Sequence, residues 1–175
     1  MHRYSTTQLK KTLLIGGGCM LLAAIMIAGM VFAFTLKPRL YDRQALDGAP
    51  QGLPESIAYV SYESDGVCKV TLACKPEFDG SVAKIYLTNP IENAVLLKAE
   101  FYSVKVVTQS DGSSDYLPDE KLGETGFLCP GTYVENVKLK GLTAGEENRV
   151  FVKIATMNEP EGTSNGAFYI RTVIS

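Results

Sequence analysis

From residue 57 onward the chain alternates. In the stretch 67–75, VCKVTLACK, the residues Cys68, Val70, Leu72 and Cys74 fall on one side. Lys69, Thr71 and Lys75 fall on the other, which is the period of two of a half-buried strand. Residues 81–88 place Ala83, Ile85 and Leu87 inward, and the Asn89-Pro90 dipeptide then begins a turn. Residues 94–107 read as one long strand with a slip of phase. Val95, Leu97, Ala99 and Phe101 share a face, then Tyr102, Val104 and Val106 continue on the opposite one. A bulge near Phe101 and Tyr102, or a crossing between sheets, reconciles the two halves. Further strands are predicted over 132–140 (Tyr133, Val137 and Leu139 inward), 149–157 (Val150, Val152, Ile154) and 167–174 (Phe168, Ile170, Ile174). The turn signals Asp111-Gly112, Pro130-Gly131, Ala144-Gly145 and Asn165-Gly166 separate them. Seven or eight short strands in about 120 residues predict a mainly β domain, an antiparallel immunoglobulin-like β-sandwich over 57–175. The likeness is one of architecture, because the chain has no tryptophan to pack against a pair of cysteines.

The N-terminal part follows a different rule. Residues 12–36, TLLIGGGCMLLAAIMIAGMVFAFTL, carry no charge. As a helix this run would extend roughly 37 Å, against a hydrocarbon core of about 30 Å. Lipid offers no water to the backbone, so a helix is the expected form even with Gly16, Gly17 and Gly18 in it. The run is also longer than the apolar core of about 7–15 residues typical of a cleavable signal peptide. We therefore expect a retained transmembrane anchor with a cytoplasmic tail, 1–11. Arg3, Lys10 and Lys11 on one flank balance Lys37, Arg39 and Arg43 on the other. The positive-inside count is thus a tie, and the usual behaviour of an N-terminal anchor gives N-terminus in and C-terminal domain out. Gly17, Ala24 and Ala28 share one stripe of that helix, a small-residue face suited to helix packing and to a homo-oligomer. Residues 37–56, with Pro38, Pro50 and Pro54, read as a semi-rigid proline-rich linker, and Tyr41 as a headgroup-level anchor.

Charge narrows the function. The chain holds 17 basic and 19 acidic residues. Residues 1–36 contain three of the basic ones and none of the acidic, so the remainder is acidic overall. A nucleic-acid partner, which requires a basic surface to displace counterions, is not expected. The lone histidine, His2, lies in the tail, which removes Ser–His and Cys–His catalysis from the domain. No phosphate loop or assignable carboxylate pair is present, so no enzyme activity is expected. Cys68, Cys74 and Cys129 are the cysteines of the domain. The first reading makes all three small buried hydrophobes; the second pairs Cys129 with Cys68 or Cys74 in a disulfide. The stretch 109–120, QSDGSSDYLPDE, gathers Asp111, Asp115, Asp119 and Glu120 and is the candidate calcium loop, although its spacing is not that of an EF-hand. No other cofactor is indicated.

Residues 82–174 run through TNPIEN, a long strand, GETGFLCPGTYVENVKLKGLTAGE, another strand and NGAFYIRTVI. This pattern resembles a group of poorly characterised single-pass membrane proteins of Gram-positive bacteria with one immunoglobulin-like β-sandwich, often encoded in mobile-element (conjugation) clusters. The resemblance implies an envelope-exposed, anchored domain beside a secretion or conjugation apparatus, and it brings no catalytic residues. The expected function is a non-enzymatic interaction or structural subunit of a cell-envelope assembly, with envelope proteins as partners. The alternative is an anchored module binding calcium or a glycan through 109–120.

Overall fold

A computed structural model describes residues 41–53, 57–64, 68–158 and 162–175, together with Met26. Apart from Met26, the expected anchor lies outside the described residues, its Gly17, Ala24 and Ala28 stripe included. Among the described residues no helix is long and apolar enough to cross a membrane. Nine strands are described: β1 (Leu46–Asp47), β2 (Tyr59–Ser64), β3 (Cys68–Ala73), β4 (Val82–Asn89), β5 (Leu96–Thr108), β6 (Ser114–Glu124), β7 (Thr132–Lys138), β8 (Asn148–Met157) and β9 (Ser164–Ile174). They form two antiparallel sheets, one ordered β1-β7-β4-β3-β2 and the other β6-β5-β8-β9. The expected seven or eight strands become nine because β1 and β6 arise where the sequence predicts a linker and an acidic loop.

Alternation explains the core. Cys68, Val70, Leu72, Ala83, Ile85, Leu87 and Val137 from one sheet meet Leu97, Ala99, Phe101, Val150, Val152, Ile154 and Ile170 from the other in a single buried cluster. Phe101 is its largest fully buried side chain. Each of these residues occupies the inward parity predicted from its own strand.

The departures from strict alternation have local causes. Cys74 follows the end of β3, and although its amide still donates to the Ala58 carbonyl in register with the β2–β3 pairing, its side chain is exposed. In β7 the core residue is Val134, not Tyr133. The register between β4 and β7 slips between Lys84 and Leu87, where Tyr86 takes a left-handed φ of 46°. That bulge reverses the phase of β7 between Val134 and Val137. The phase slip of the long strand is likewise a bulge and not a sheet crossing, but the extra residues sit in β6. Against β8, β5 keeps an unbroken register from Leu96 to Ser103. Asn165-Gly166 is no turn: it lies within β9, where Gly166 (φ 109°) marks a register shift opposite Thr156 and Met157.

The predicted linker is in part docked. Asp42 accepts a hydrogen bond from the Gly126 amide at 2.7 Å and donates its own amide to the Phe127 carbonyl at 2.9 Å. A Cβ on Gly126 would come within 2.5 Å of the Asp42 backbone, so only glycine permits this approach. Beyond it β1 pairs with β7, Leu46 opposite Tyr133. Residues 41–47 thus belong to the domain that was expected to begin at 57.

The chain leaves the first sheet at Asn89, which is fully buried. Its side-chain amide donates to the carbonyls of Val95 and Leu128, both at 2.9 Å, and its oxygen accepts from Asn93 Nδ2 at 2.6 Å. Asn93 in turn accepts from the Lys69 amide and donates to the Lys69 carbonyl, imitating a strand partner for β3. Asn89→Ala would take one donor from each of the Val95 and Leu128 carbonyls, leaving Leu128 the Leu97 amide, and would remove the acceptor of Asn93, at a cost of about 2–4 kcal/mol. In urea unfolding followed by near-ultraviolet tyrosine dichroism, the midpoint should fall accordingly. Asn89→Asp, equal in size but lacking the donor, should be at least as damaging. A well-tolerated Asn89→Asp substitution would contradict this account.

Candidate functional site

The outward residues of β6, β5, β8 and β9 form one surface. Registers place Glu100, Tyr102, Val104 and Val106 of β5 beside Glu124, Lys121, Pro118 and Tyr116 of β6. On the other flank stand Arg149, Phe151 and Lys153 of β8, and then Val173, Arg171 and Tyr169 of β9. Across this face run Lys98, Lys121, Lys153, Arg149 and Arg171 against Glu100 and Glu124, a cationic surface on a chain of net charge −2.

Glu100 organises one end of it. Its carboxylate accepts from Lys153 Nζ at 3.0 Å, from Lys121 Nζ at 3.1 Å and from the Tyr102 hydroxyl at 3.1 Å. Lys121 also reaches Glu124 at 2.7 Å, and Lys98 bridges Glu124 and Glu100. Burial works to raise the Glu100 carboxyl, but the bonds from Lys153, Lys121 and Tyr102 outweigh it and hold the group down at about 2. Lys153 is shifted upward by its hydrogen bond to Glu100, and Lys121 upward by its bond to Glu124. This network ties three strands together and neutralises much of the lysine charge.

The other end is different. A shallow groove of roughly 370 Å³ is lined by Val104, Tyr116, Arg149, Arg171 and Val173. The Arg149 guanidinium sits 5.9 Å from the centre of the Tyr116 ring, within range of a cation–π contact. Among the described residues no ion pair involves Arg149 or Arg171. Glu147 feels the charge of Arg149 but is bonded to Lys75. Nearby, Phe151 is buried beneath Tyr169, edge to face at 6.2 Å, while Tyr169 itself remains half exposed. Val106, Tyr116, Leu117 and Tyr169, four of the exposed large hydrophobics, all belong to this one sheet. Exposed tyrosine and arginine with little local carboxylate is the composition of a recognition surface.

The sequence-derived candidates fall elsewhere. Asp111 caps its own turn through Ser113, and Asp115 accepts from Gln109 Nε2. Asp115, Asp119 and Glu120 lie on the strand β6, not in a loop. Strand geometry separates Asp115 from Asp119 by about 13 Å. Among the described residues no three His, Cys, Asp or Glu side chains gather to hold a metal. Of the three described cysteines, Cys68 alone is buried, and burial pushes its thiol up to about 11. Cys74 is exposed and Cys129 half-buried. Neither Cys68 nor Cys74 is bridged, so the disulfides to Cys129 are not formed. Sequence reasoning does not single out Arg149, Arg171, Tyr116 or Tyr169, because nothing in the order of residues shows that β8 and β9 set the two arginines on one face.

No family model, curated protein or solved structure matches this chain.

The depressed Glu100 carboxyl stabilises the fold at pH values above about 4.5, and that contribution fades as pH falls toward 2. With Glu100 mostly buried and its lysines partly solvated, the term is on the order of 2 kcal/mol. Glu100→Gln should therefore be less stable at pH 7, and the gap to the native chain should narrow between pH 5 and 2.5. A gap independent of pH would show that packing, not charge, is responsible.

Proposed function

We propose that the protein is a membrane-anchored, non-enzymatic interaction subunit of a cell-envelope assembly, whose domain faces the exterior and makes contact through the β6-β5-β8-β9 face. The observation that carries this reading is the grouping of Arg149 and Arg171, neither in an ion pair among the described residues, with exposed Tyr116 and Tyr169 on that face. The 25-residue uncharged run over 12–36 supports the anchor. The strand order supports an immunoglobulin-like description: β4 between β3 and β7 in one sheet, and β5 between β6 and β8 in the other. The resemblance of residues 82–174 to anchored envelope proteins of Gram-positive bacteria favours a place beside a secretion or conjugation apparatus. Asp111, Asp115, Asp119 and Glu120 do not converge, so calcium has no part in the proposal.

Two measurements test it. Cys74 is a native exposed reporter. A membrane-impermeant maleimide should label the chain in intact cells, and Cys74→Ser should lose most of that label; labelling only after lysis would reverse the orientation. For the contact face, a photo-activatable residue placed at Tyr169 or Tyr116 should give discrete adducts with envelope proteins, while the same residue at Glu63 on the far sheet should not. Indistinguishable patterns at all three positions would remove the assignment of the face.

A further inference from the structure

The sheets end in four edge strands, and three of them are guarded. β1 has two residues. β2 has six and carries Glu63. β6 is longer but holds Pro118, Asp115, Asp119, Glu120 and Lys121 and is broken by two bulges. Proline, charge, bulges and brevity are the devices that keep an edge from pairing with another chain. β9 has eleven residues, and beyond the irregularity at Gly166 it runs AFYIRTVI with no proline, no further bulge and one charge, Arg171.

The free side of β9 can be assigned. Thr156 Oγ1 donates to the Gly166 carbonyl and Asn148 Nδ2 to the Ile174 carbonyl, so the even-numbered residues direct their backbone groups toward β8. Ser175 points the other way, donating to the Pro76 carbonyl at 3.1 Å and accepting from the Phe78 amide at 2.7 Å. The segment around 74–78 therefore closes the C-terminal end of the edge, and Thr172 Oγ1 donates to the Cys74 carbonyl there. By alternation, Ala167, Tyr169 and Arg171 present their amides and carbonyls outward. Their side chains are exposed, and Tyr169 and Arg171 flank the groove face described above.

Resting on the reading of that face as a contact surface, we infer that β9 accepts an extended acidic segment of a partner protein as an added antiparallel or parallel strand, with Ala167, Tyr169 and Arg171 supplying the backbone bonds and Arg171 and Arg149 the charge complement. Main-chain pairing gives affinity in this mode and alternate side chains give selectivity. Arg149 lies across from Val173 on the neighbouring strand. Acidic side chains on the outer side of the added strand would thus meet two cations that, among the described residues, no carboxylate holds in an ion pair. A second copy of this chain would bring its own Arg171 onto the same face, which is why an acidic partner fits better.

The test uses the full chain in mild detergent and a capped peptide alternating valine and glutamate, long enough to span Ala167 to Arg171. Its counterpart alternates valine and lysine. Saturable binding of the acidic peptide is expected by fluorescence anisotropy, with slowed amide exchange at Ala167, Tyr169 and Arg171. The lysine peptide and the variant Arg171→Glu should each bind about tenfold more weakly or worse. Ala167→Pro removes an amide that β8 does not use, a position where an edge tolerates proline, and should abolish binding while leaving the melting temperature close to native. Should Ala167→Pro misfold, the exchange footprint and Arg171→Glu still decide. Binding unaffected by Ala167→Pro, protection at β2 or β6, or equal affinity for both peptides would overturn the inference. So would no binding, and so would self-association abolished by Ala167→Pro, which would make the occupant a second copy. Cellular adducts at Tyr169 with no peptide binding would leave the contact face standing and defeat only the edge.

Discussion

Where the chain passes from one sheet to the other, the carboxamide of Asn89 is shut away from water and bonded to three groups on two segments. It holds the carbonyl of Val95 ahead of β5, the carbonyl of Leu128 ahead of β7, and the side chain of Asn93 in the turn between β4 and β5. A sandwich needs such a seam, because backbone groups at the crossing lose their ladder partners just where the core excludes solvent. Leu97 and Leu128 exchange backbone bonds beside it. The inward row of β5, including Phe101, starts from a register this joint defines. One neutral side chain with two donors and an acceptor thereby lets two sheets share one apolar cluster with no buried side-chain polar atom left unpaired among the described residues.

What could be read from sequence was whatever depends on a single strand. Val95, Leu97, Ala99 and Phe101, or Val150, Val152 and Ile154, declare their buried side by spacing alone. What could not be read depends on a partner strand. Val134 replaces Tyr133 in the core because a bulge at Tyr86, on another strand, shifts the phase. The polar stretch after Asp111 looked like a loop because its alternation is polar on both sides, yet it pairs with β5 to become β6. Residues 41–47 looked like a spacer because their bonds go to Gly126, Phe127 and β7, far along the chain. The candidate site failed in the same way. Acidic residues near one another in sequence diverge on a strand, while Arg149 and Arg171, far apart in sequence, converge on a face.

That face divides its charge in two. At one end Glu100 and Glu124 absorb the lysines into a network whose shared geometry holds β5, β6 and β8 together. At the other end, among the described residues, no carboxylate forms an ion pair with the arginines. Arginine keeps its charge at any physiological pH and is only weakly hydrated, so it can lie against Tyr116 in the groove at little cost and still reach an incoming carboxylate. Lysines clamped by glutamate and arginines left open give the sheet a rigid half and a receptive half.

The receptive half adjoins the unguarded edge, and the two features constrain each other. Three of the four sheet edges carry the usual deterrents, so the bareness of β9 is not a general property of the sequence. An open edge alone would invite any strand, including one from a second copy. Arginines alone would attract any anion, without fixing a register. Together they select a chain that is extended, to satisfy Ala167, Tyr169 and Arg171, and acidic on one side, to satisfy Arg149 and Arg171. The alternation that buries Ile170 and Ile174 and packs Phe168 against the core also sends Tyr169 and Arg171 outward. The rule that builds the core on one side of β9 therefore builds the recognition surface on the other.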